Sequence, residues 1–289
     1  MDILLVGGSG FIGTHLGAEL LERGHDVTVL SRDPEGEGLP EGATAVAGDV
    51  TEYDSIEGAI EGRDAVYYLV ALSPLFEPEG GNDRHFAVHT EGARNVVRAM
   101  EAHGVDRLVH MSALGADPEG PTAYIRAKGE AEEVVRDSAL EWTILRPSVV
   151  FGEGGEFVSF TRKLTPPGLA PLPGGGKKTR FQPIWVGDLV PILADAVADE
   201  HAGETYEVGG PEVLTLREIA KLVRGRVAVL PVPMSLAGVG LKVAGAIPGF
   251  PMGADQFRSL RFDNTTDDND VTAFGVDPAE MTTLSGYLG

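Results

Sequence analysis

Cysteine is absent from this 289-residue chain, lysine is rare, and no stretch of eighteen uninterrupted apolar residues occurs. Each deficit closes off a class of function. Without cysteine there is no disulfide, no thiolate nucleophile and no cysteine-ligated zinc or iron–sulfur centre. The seven histidines are scattered without metal-ligand spacing, so no metal site is expected. The lack of a long apolar run leaves no candidate for a membrane-spanning helix. The opening residues Met1–Gly7 carry neither a basic segment nor a cleavage site, and a cytoplasmic location is expected. Basic residues are few: 23 Lys and Arg stand against 44 Asp and Glu, a net charge of -21. Such a surface disfavours nucleic acid, whose binding depends on neutralising phosphates. The composition is similar to that of proteins from salt-loving organisms, where a Debye length of about 3 Å at 1 M salt screens the self-repulsion. The alternative is an acidic protein without that adaptation.

What is present is an alternation of short apolar runs and helical stretches from residue 2 to about 150. Strands are expected at Ile3–Val6, Asp26–Leu30, Thr44–Ala47, Ala65–Leu69, Arg107–Met111 and Trp142–Leu145, and helices near Phe11–Arg23, Tyr53–Ile60, His85–His103 and Tyr124–Ser138. This is the pattern of a βαβ series: an α/β fold with a doubly wound parallel sheet of the Rossmann type over residues 1–150. Residues 151–289 are expected to form a smaller C-terminal substrate lobe, with some segments returning to the main sheet. The glycines and prolines between Gly152 and Gly176 read as loops. Later elements are a strand at Phe181–Val186, a helix over Asp188–Ala198, a strand at Thr205–Val208, a helix after Thr215, a strand near Val227–Leu230 and helices beyond Met234. The apolar segment Val227–Met252 fits either a membrane-surface or partner-docking helix or an ordinary helix over the lobe core. Its four prolines divide it too finely to span a bilayer.

Between the first strand and helix, Gly7-Gly8-Ser9-Gly10-Phe11-Ile12-Gly13 spaces glycines as a dinucleotide-binding turn does. There Gly7 makes the tight turn, Gly10 lets the backbone approach a pyrophosphate at the helix N-terminus, and Gly13 permits close helix–strand packing. Phe11 and Ile12 join the candidate contacts. The second strand ends in Ser31-Arg32-Asp33. An NAD site usually has an acid at this strand end, whereas an NADP site has an arginine. Ser31 and Arg32 therefore favour NADP, with NAD as the alternative if Asp33 turns inward. Asp49 and Val50 follow the third strand, where the acid either accepts from an adenine amino group or caps a turn. Val70 and Ala71, past the fourth strand, complete the set.

Tyr124 and Lys128 stand four residues apart, on one helix face. A cation beside a phenol with a pKa near ~10 favours the phenolate and lowers that value. Ser112, at the end of the fifth strand, is placed to hydrogen-bond a substrate oxygen.

With strand, serine, loop and Tyr–Lys helix following a dinucleotide fold, the chain resembles the short-chain dehydrogenase/reductase superfamily along nearly its whole length. The turn Gly8–Gly13 is similar to that of the extended, sugar-epimerase-like branch. Val109–Ala116, Leu145–Gly152 and Arg180–Ile184 resemble an atypical subgroup that includes the NAD(P)H-binding accessory subunit of respiratory complex I and its prokaryotic relatives. The resemblance implies Ser112, Tyr124 and Lys128 as catalytic residues, Lys128 also as a contact of the nicotinamide ribose, and Pro147, Ser148 and Val149 as a border of the nicotinamide. His89 stands where the superfamily often has an asparagine. The implied activity is NAD(P)-dependent oxidation or reduction of a small molecule. The alternatives are a non-catalytic cofactor-binding protein that supports a respiratory-complex or quinone-biosynthesis assembly, with peripheral membrane association, and a nucleotide-sugar epimerase or dehydratase.

Overall fold

The computed structural model describes residues 1–33, 38–233 and 254–289, and most of the Val227–Met252 segment lies outside them. The chain divides into two compact units. The first comprises Met1–Leu72, Asn82–Arg146 and Val186–Tyr206, and the second Ser73–Gly81, Pro147–Trp185 and Glu207–Gly289.

The first unit is built around a sheet whose strands are β1 (Asp2–Val6), β2 (Asp26–Ser31), β3 (Thr44–Ala47), β4 (Ala65–Tyr68), β5 (Arg107–Met111), β6 (Glu141–Pro147) and β11 (Glu204–Val208). Their order is β11-β6-β5-β4-β1-β2-β3, so the chain winds outward from β1 in both directions. The pairings from β3 through β6 are parallel and in register, with Leu5 opposite Val29 and Tyr67. The run Ile3–Val6 is fully buried because helices cover both faces. Leu4 and Val6 join a core with Ile56, Val66, Val96 and Met100 on one side. Leu5 lies on the other side, against α1 (Phe11–Glu22), where a Cβ on Gly17 would stand 3.4 Å from its Cδ1.

The remaining helices of this unit are α2 (Tyr53–Ile60), the single turn α3 (Asp83–His85), α4 (Gly92–His103), α5 (Ala123–Arg136) and α7 (Val186–Asp195). The expected single helix from His85 to His103 is interrupted: Phe86–Glu91 form a π-helical turn between α3 and α4. Gly92 follows it because space there is lacking. A Cβ would meet the Tyr68 hydroxyl at 2.3 Å and Val50 Cγ2 at 2.9 Å.

Among the described residues the second unit has short pairings. These are β7 (Val150–Phe151) with β10 (Ile184–Trp185), β9 (Arg180–Phe181) with β12 (Leu214–Thr215), and β8 (Leu169–Pro173) with β13 (Ala228–Val232). The segment read as loop between Gly152 and Gly176 contains α6 (Glu156–Leu164) as well as β8. The expected strand at Phe181–Val186 is two separate two-residue pieces, and Val186 already begins α7. Helix α8 (Leu216–Arg224) starts from a capping box, with Thr215 Oγ1 and the Glu218 backbone and carboxylate closing on each other. Phe151, Phe157, Ile219 and Leu284 form one small core, and Ala170, Leu172, Leu216 and Ala220 another.

Candidate functional site

The glycine turn between β1 and α1 takes its shape from two different constraints. Gly7 has φ 85°, a backbone conformation that side chains rarely adopt. A Cβ on Gly13 would meet Gly8 Cα at 2.5 Å, so helix and strand approach only because both positions are bare. Gly10 is different. Its φ of -77° and ψ of 173° suit any residue, and a Cβ would meet only the Gly7 carbonyl at 3.4 Å. Among the described residues nothing requires glycine there, and the space is what a pyrophosphate approaching the backbone would fill. Gly10 caps α1 with no side-chain hydrogen bond, leaving the first-turn amides of a twelve-residue helix available to an anion. These features fit a dinucleotide.

Around the turn, Ser31 Oγ is buried without a hydrogen-bond partner, while Arg32 and Asp33 are exposed. Burial would raise the Asp49 carboxyl. Hydrogen bonds donated to its Oδ1 by Thr51 N–H (2.9 Å) and Thr51 Oγ1 (2.8 Å) outweigh burial, aided by Arg32 and Arg84, and hold it below the usual range. Asp49 therefore caps its own turn. The Val50 side chain is buried and its carbonyl accepts from Asn95 Nδ2 at 2.8 Å. Val70 packs over Gly7, and Ala71 is exposed.

At the carboxyl end of β5 the first unit gathers Ser112, Tyr124, Lys128 and three histidines. Thr122 caps α5 by accepting from Ile125 N–H at 3.3 Å. Gly129 lets the preceding loop press on the helix, since a Cβ there would stand 2.3 Å from Asp117 C and Pro118 N. Lys128 is 1% exposed and donates from Nζ to the Met111 carbonyl at 2.9 Å, one residue before Ser112. Burial pushes its ammonium down to about 8, against a partial rise from Glu132. Ser112 Oγ is buried and has no partner.

The Tyr124 ring meets His85 and His89 edge to face, with centroids 5.6 and 5.5 Å apart, and the two imidazoles stack at 5.7 Å. The expected lowering of the Tyr124 phenol by Lys128 does not occur. Its side chain keeps partial solvent access, yet the dense packing around it pushes the phenol above its ordinary value, and the Lys128 ammonium is turned to Met111. His89 is fully buried, its Nε2 accepts from Leu72 N–H at 3.4 Å, and its Nδ1 is buried without a partner. Burial first, then Lys128, His85 and His110, keeps it neutral against the opposing effect of a backbone hydrogen bond at Val70. His110 stacks on Tyr68 at 5.5 Å with neither ring nitrogen partnered.

Pro147, Ser148 and Val149 belong to the second unit, where Asn264 organises them. The Ser148 hydroxyl lies 2.9 Å from the Asn264 carbonyl and 2.8 Å from its Oδ1, which also accepts from Val149 N–H at 3.0 Å. Sequence reasoning passed over Asn264, which acts across more than a hundred residues, and His85, whose four-residue spacing from His89 was a usable signal. Among the described residues, no group of His, Cys, Asp and Glu is placed to hold a metal, and no helix is long and apolar enough to cross a membrane.

A family model described as NAD(P)H-binding matches residues 7–167. The chain belongs to this NAD(P)H-binding family. Among its relatives, "NADH dehydrogenase [ubiquinone] 1 alpha subcomplex subunit 9, mitochondrial" of Arabidopsis thaliana is 29% identical, covering 91% of this chain and 70% of the relative. The "2-alkyl-3-oxoalkanoate reductase" of Stenotrophomonas maltophilia is 29% identical over 76% of this chain and 73% of that protein. Among solved structures, the Thermus thermophilus UDP-glucose 4-epimerase complex with NAD shares 25% identity and a TM-score of 0.68, covering 90% of this chain and 99% of the other. This NAD(P)H-binding chain thus shares its fold with the epimerases and its ancestry with reductases and a complex I subunit.

Proposed function

We infer that this NAD(P)H-binding protein is an oxidoreductase in which Tyr124 exchanges a proton with the substrate oxygen. The observation that carries the reading is the buried, unpartnered Ser112 hydroxyl beside the Met111 carbonyl that Lys128 holds. Gly7, Gly10, Phe11, Ile12 and Gly13 would hold the pyrophosphate, with Ser31 and Arg32 at the adenosine ribose. When bound, the nicotinamide supplies or accepts a hydride. The chain's own residues handle the proton. Ser112 donates to or accepts from the substrate oxygen, and Tyr124 transfers a proton at its hydroxyl. Because burial keeps the phenol protonated, Tyr124 is suited to act as an acid, which favours reduction of a carbonyl. Lys128, its ammonium poised near neutrality by burial, resupplies the proton.

NADPH is the preferred cofactor on this reading, and Arg32→Ala should weaken it by about 1.5–3 kcal/mol while leaving NADH unaffected. The test of the reaction is a screen of carbonyl compounds, quinones and nucleotide sugars, followed by Tyr124→Phe. Turnover should fall by about 10²-fold with cofactor affinity intact. Full retention of turnover removes Tyr124 from the mechanism. The second reading is a cofactor-binding protein without turnover, supported by the respiratory-complex name of the Arabidopsis relative. It predicts tight NADPH binding that Tyr124→Phe leaves unchanged and an empty screen.

A further inference from the structure

The second unit contains a cavity whose lining, Val149 apart, lies outside the expected cofactor contacts. Phe157, Phe160 and Leu164 line it from α6, joined by Leu75, Leu172 and Leu216. Its α6 wall consists of positions 157, 160, 161, 164 and 165, a single helical stripe about 12 Å long at ~1.5 Å per residue. Among the described residues the wall carries no charged side chain, and its hydroxyls are Thr161, Thr165 and Ser259.

Each of those hydroxyls is already committed to a backbone carbonyl one helical turn earlier. Thr161 Oγ1 donates to Phe157 O at 2.9 Å, Thr165 Oγ1 to Thr161 O at 2.6 Å, and Ser259 Oγ to Asp255 O at 3.1 Å. The threonines therefore turn their donors into the helix, and the wall presents carbon. A nucleotide sugar needs the opposite: free donors for its hydroxyls and cations for its diphosphate.

We propose that this cavity is a binding site for a neutral, unbranched alkyl chain, the apolar tail of a long-chain carbonyl compound or alcohol. As a statement about substrate class it rests on the oxidoreductase reading, but the binding is measurable without cofactor or turnover, so the two fail separately. The wall's length selects a chain over a compact ring, because a helical stripe offers contact along its axis.

Calorimetric titration of the full chain with butanol, hexanol, octanol and decanol tests it, with UDP-glucose as the polar comparison. Affinity should rise roughly fourfold per added methylene until the cavity is filled, at about 0.8 kcal/mol for each, and UDP-glucose should give no heat. Leu164→Trp, on a half-exposed wall position, should weaken decanol at least tenfold. Thr161→Val exchanges a spent hydroxyl for a methyl and should leave decanol binding equal or tighter. Affinity independent of chain length, or unresponsive to Leu164→Trp, overturns the proposal. Loss of binding in a folded Thr161→Val does the same, because the hydroxyl would then be a ligand contact. Binding of no alcohol at all leaves the cavity to a segment of the chain itself and also overturns it. Sedimentation with neutral phosphatidylcholine vesicles should leave the protein in the supernatant. Recruitment would reassign the site to a membrane lipid.

Discussion

The first unit holds Ser31 Oγ, His89 Nδ1, both ring nitrogens of His110 and Ser112 Oγ buried without partners. Around the cavity of the second unit, the hydroxyls of Thr161, Thr165 and Ser259 are all returned to helix carbonyls. A buried donor or acceptor left open costs about 1–3 kcal/mol, so a protein keeps one where something arrives to use it. Satisfying a hydroxyl locally makes a surface that recognises carbon. The contrast teaches that a polar site and an apolar site can both contain serine and threonine, and that where the hydrogen bond goes separates them.

The glycine turn sharpens this contrast most. Gly13→Ala drives a Cβ to 2.5 Å from the Gly8 backbone, and should cost about 3 kcal/mol of stability in chemical denaturation. Gly10→Ala meets nothing closer than 3.4 Å and should melt like the parent while losing ~10-fold or more in NADPH affinity by titration. If Gly10→Ala binds NADPH normally, the open space there is not kept for a ligand.

Lys128 is the next lever. Burial lowers it from an ordinary 10.5 to about 8, so below pH 8 the folded state bears the full cost of a buried ammonium. Between those values the unfolded chain holds more protons than the folded one, and stability rises with pH. From pH 7.5 to 9.5 the gain should be about 2 kcal/mol, and Lys128→Met should abolish it. A parent curve that falls over this window would show that Lys128 is not buried as a free cation.

The smallest expected effect belongs to His110. Replacing it with Leu removes two unsatisfied nitrogens, worth about 1–3 kcal/mol, and forfeits a ring stack on Tyr68 worth about 0.5–1.5 kcal/mol. His110→Leu should therefore raise stability by about 1 kcal/mol in denaturant melts. Destabilisation would mean that the imidazole is satisfied by a buried water, and the open-donor description of the first unit would lose its strongest case.

The two units also differed in how far the sequence disclosed them. The strand Arg107–Met111 and the helix Tyr53–Ile60 were legible to the residue, because a strand buried on both faces is a near-continuous apolar run and its helices repeat every turn. In the second unit, α6 hid between the loop signals Gly152–Gly155 and Pro166–Gly168. Strand β8 reads Leu-Ala-Pro-Leu-Pro, and proline argues against a strand except in an edge pairing such as the one it makes with β13. Ser112, Tyr124 and Lys128 were visible as a spacing. The direction of the Tyr124 shift was not, because it depends on packing contributed by His85 and His89 rather than on the neighbouring lysine.

The π-helical turn at Phe86–Glu91 acts as a phase shifter in the chain. A π turn holds one residue more than the α-helix can absorb, and each residue of α-helix advances the chain by about 100° around the axis. Deleting a single residue there would let one regular helix run through to His103, turning everything ahead of it by about that angle relative to α4. His85 would leave the Tyr124 ring it now meets at 5.6 Å, and Arg84 would leave the neighbourhood of Asp49. One residue of length thus decides which side chains face the site, and substitutions that keep the length do not alter that phase.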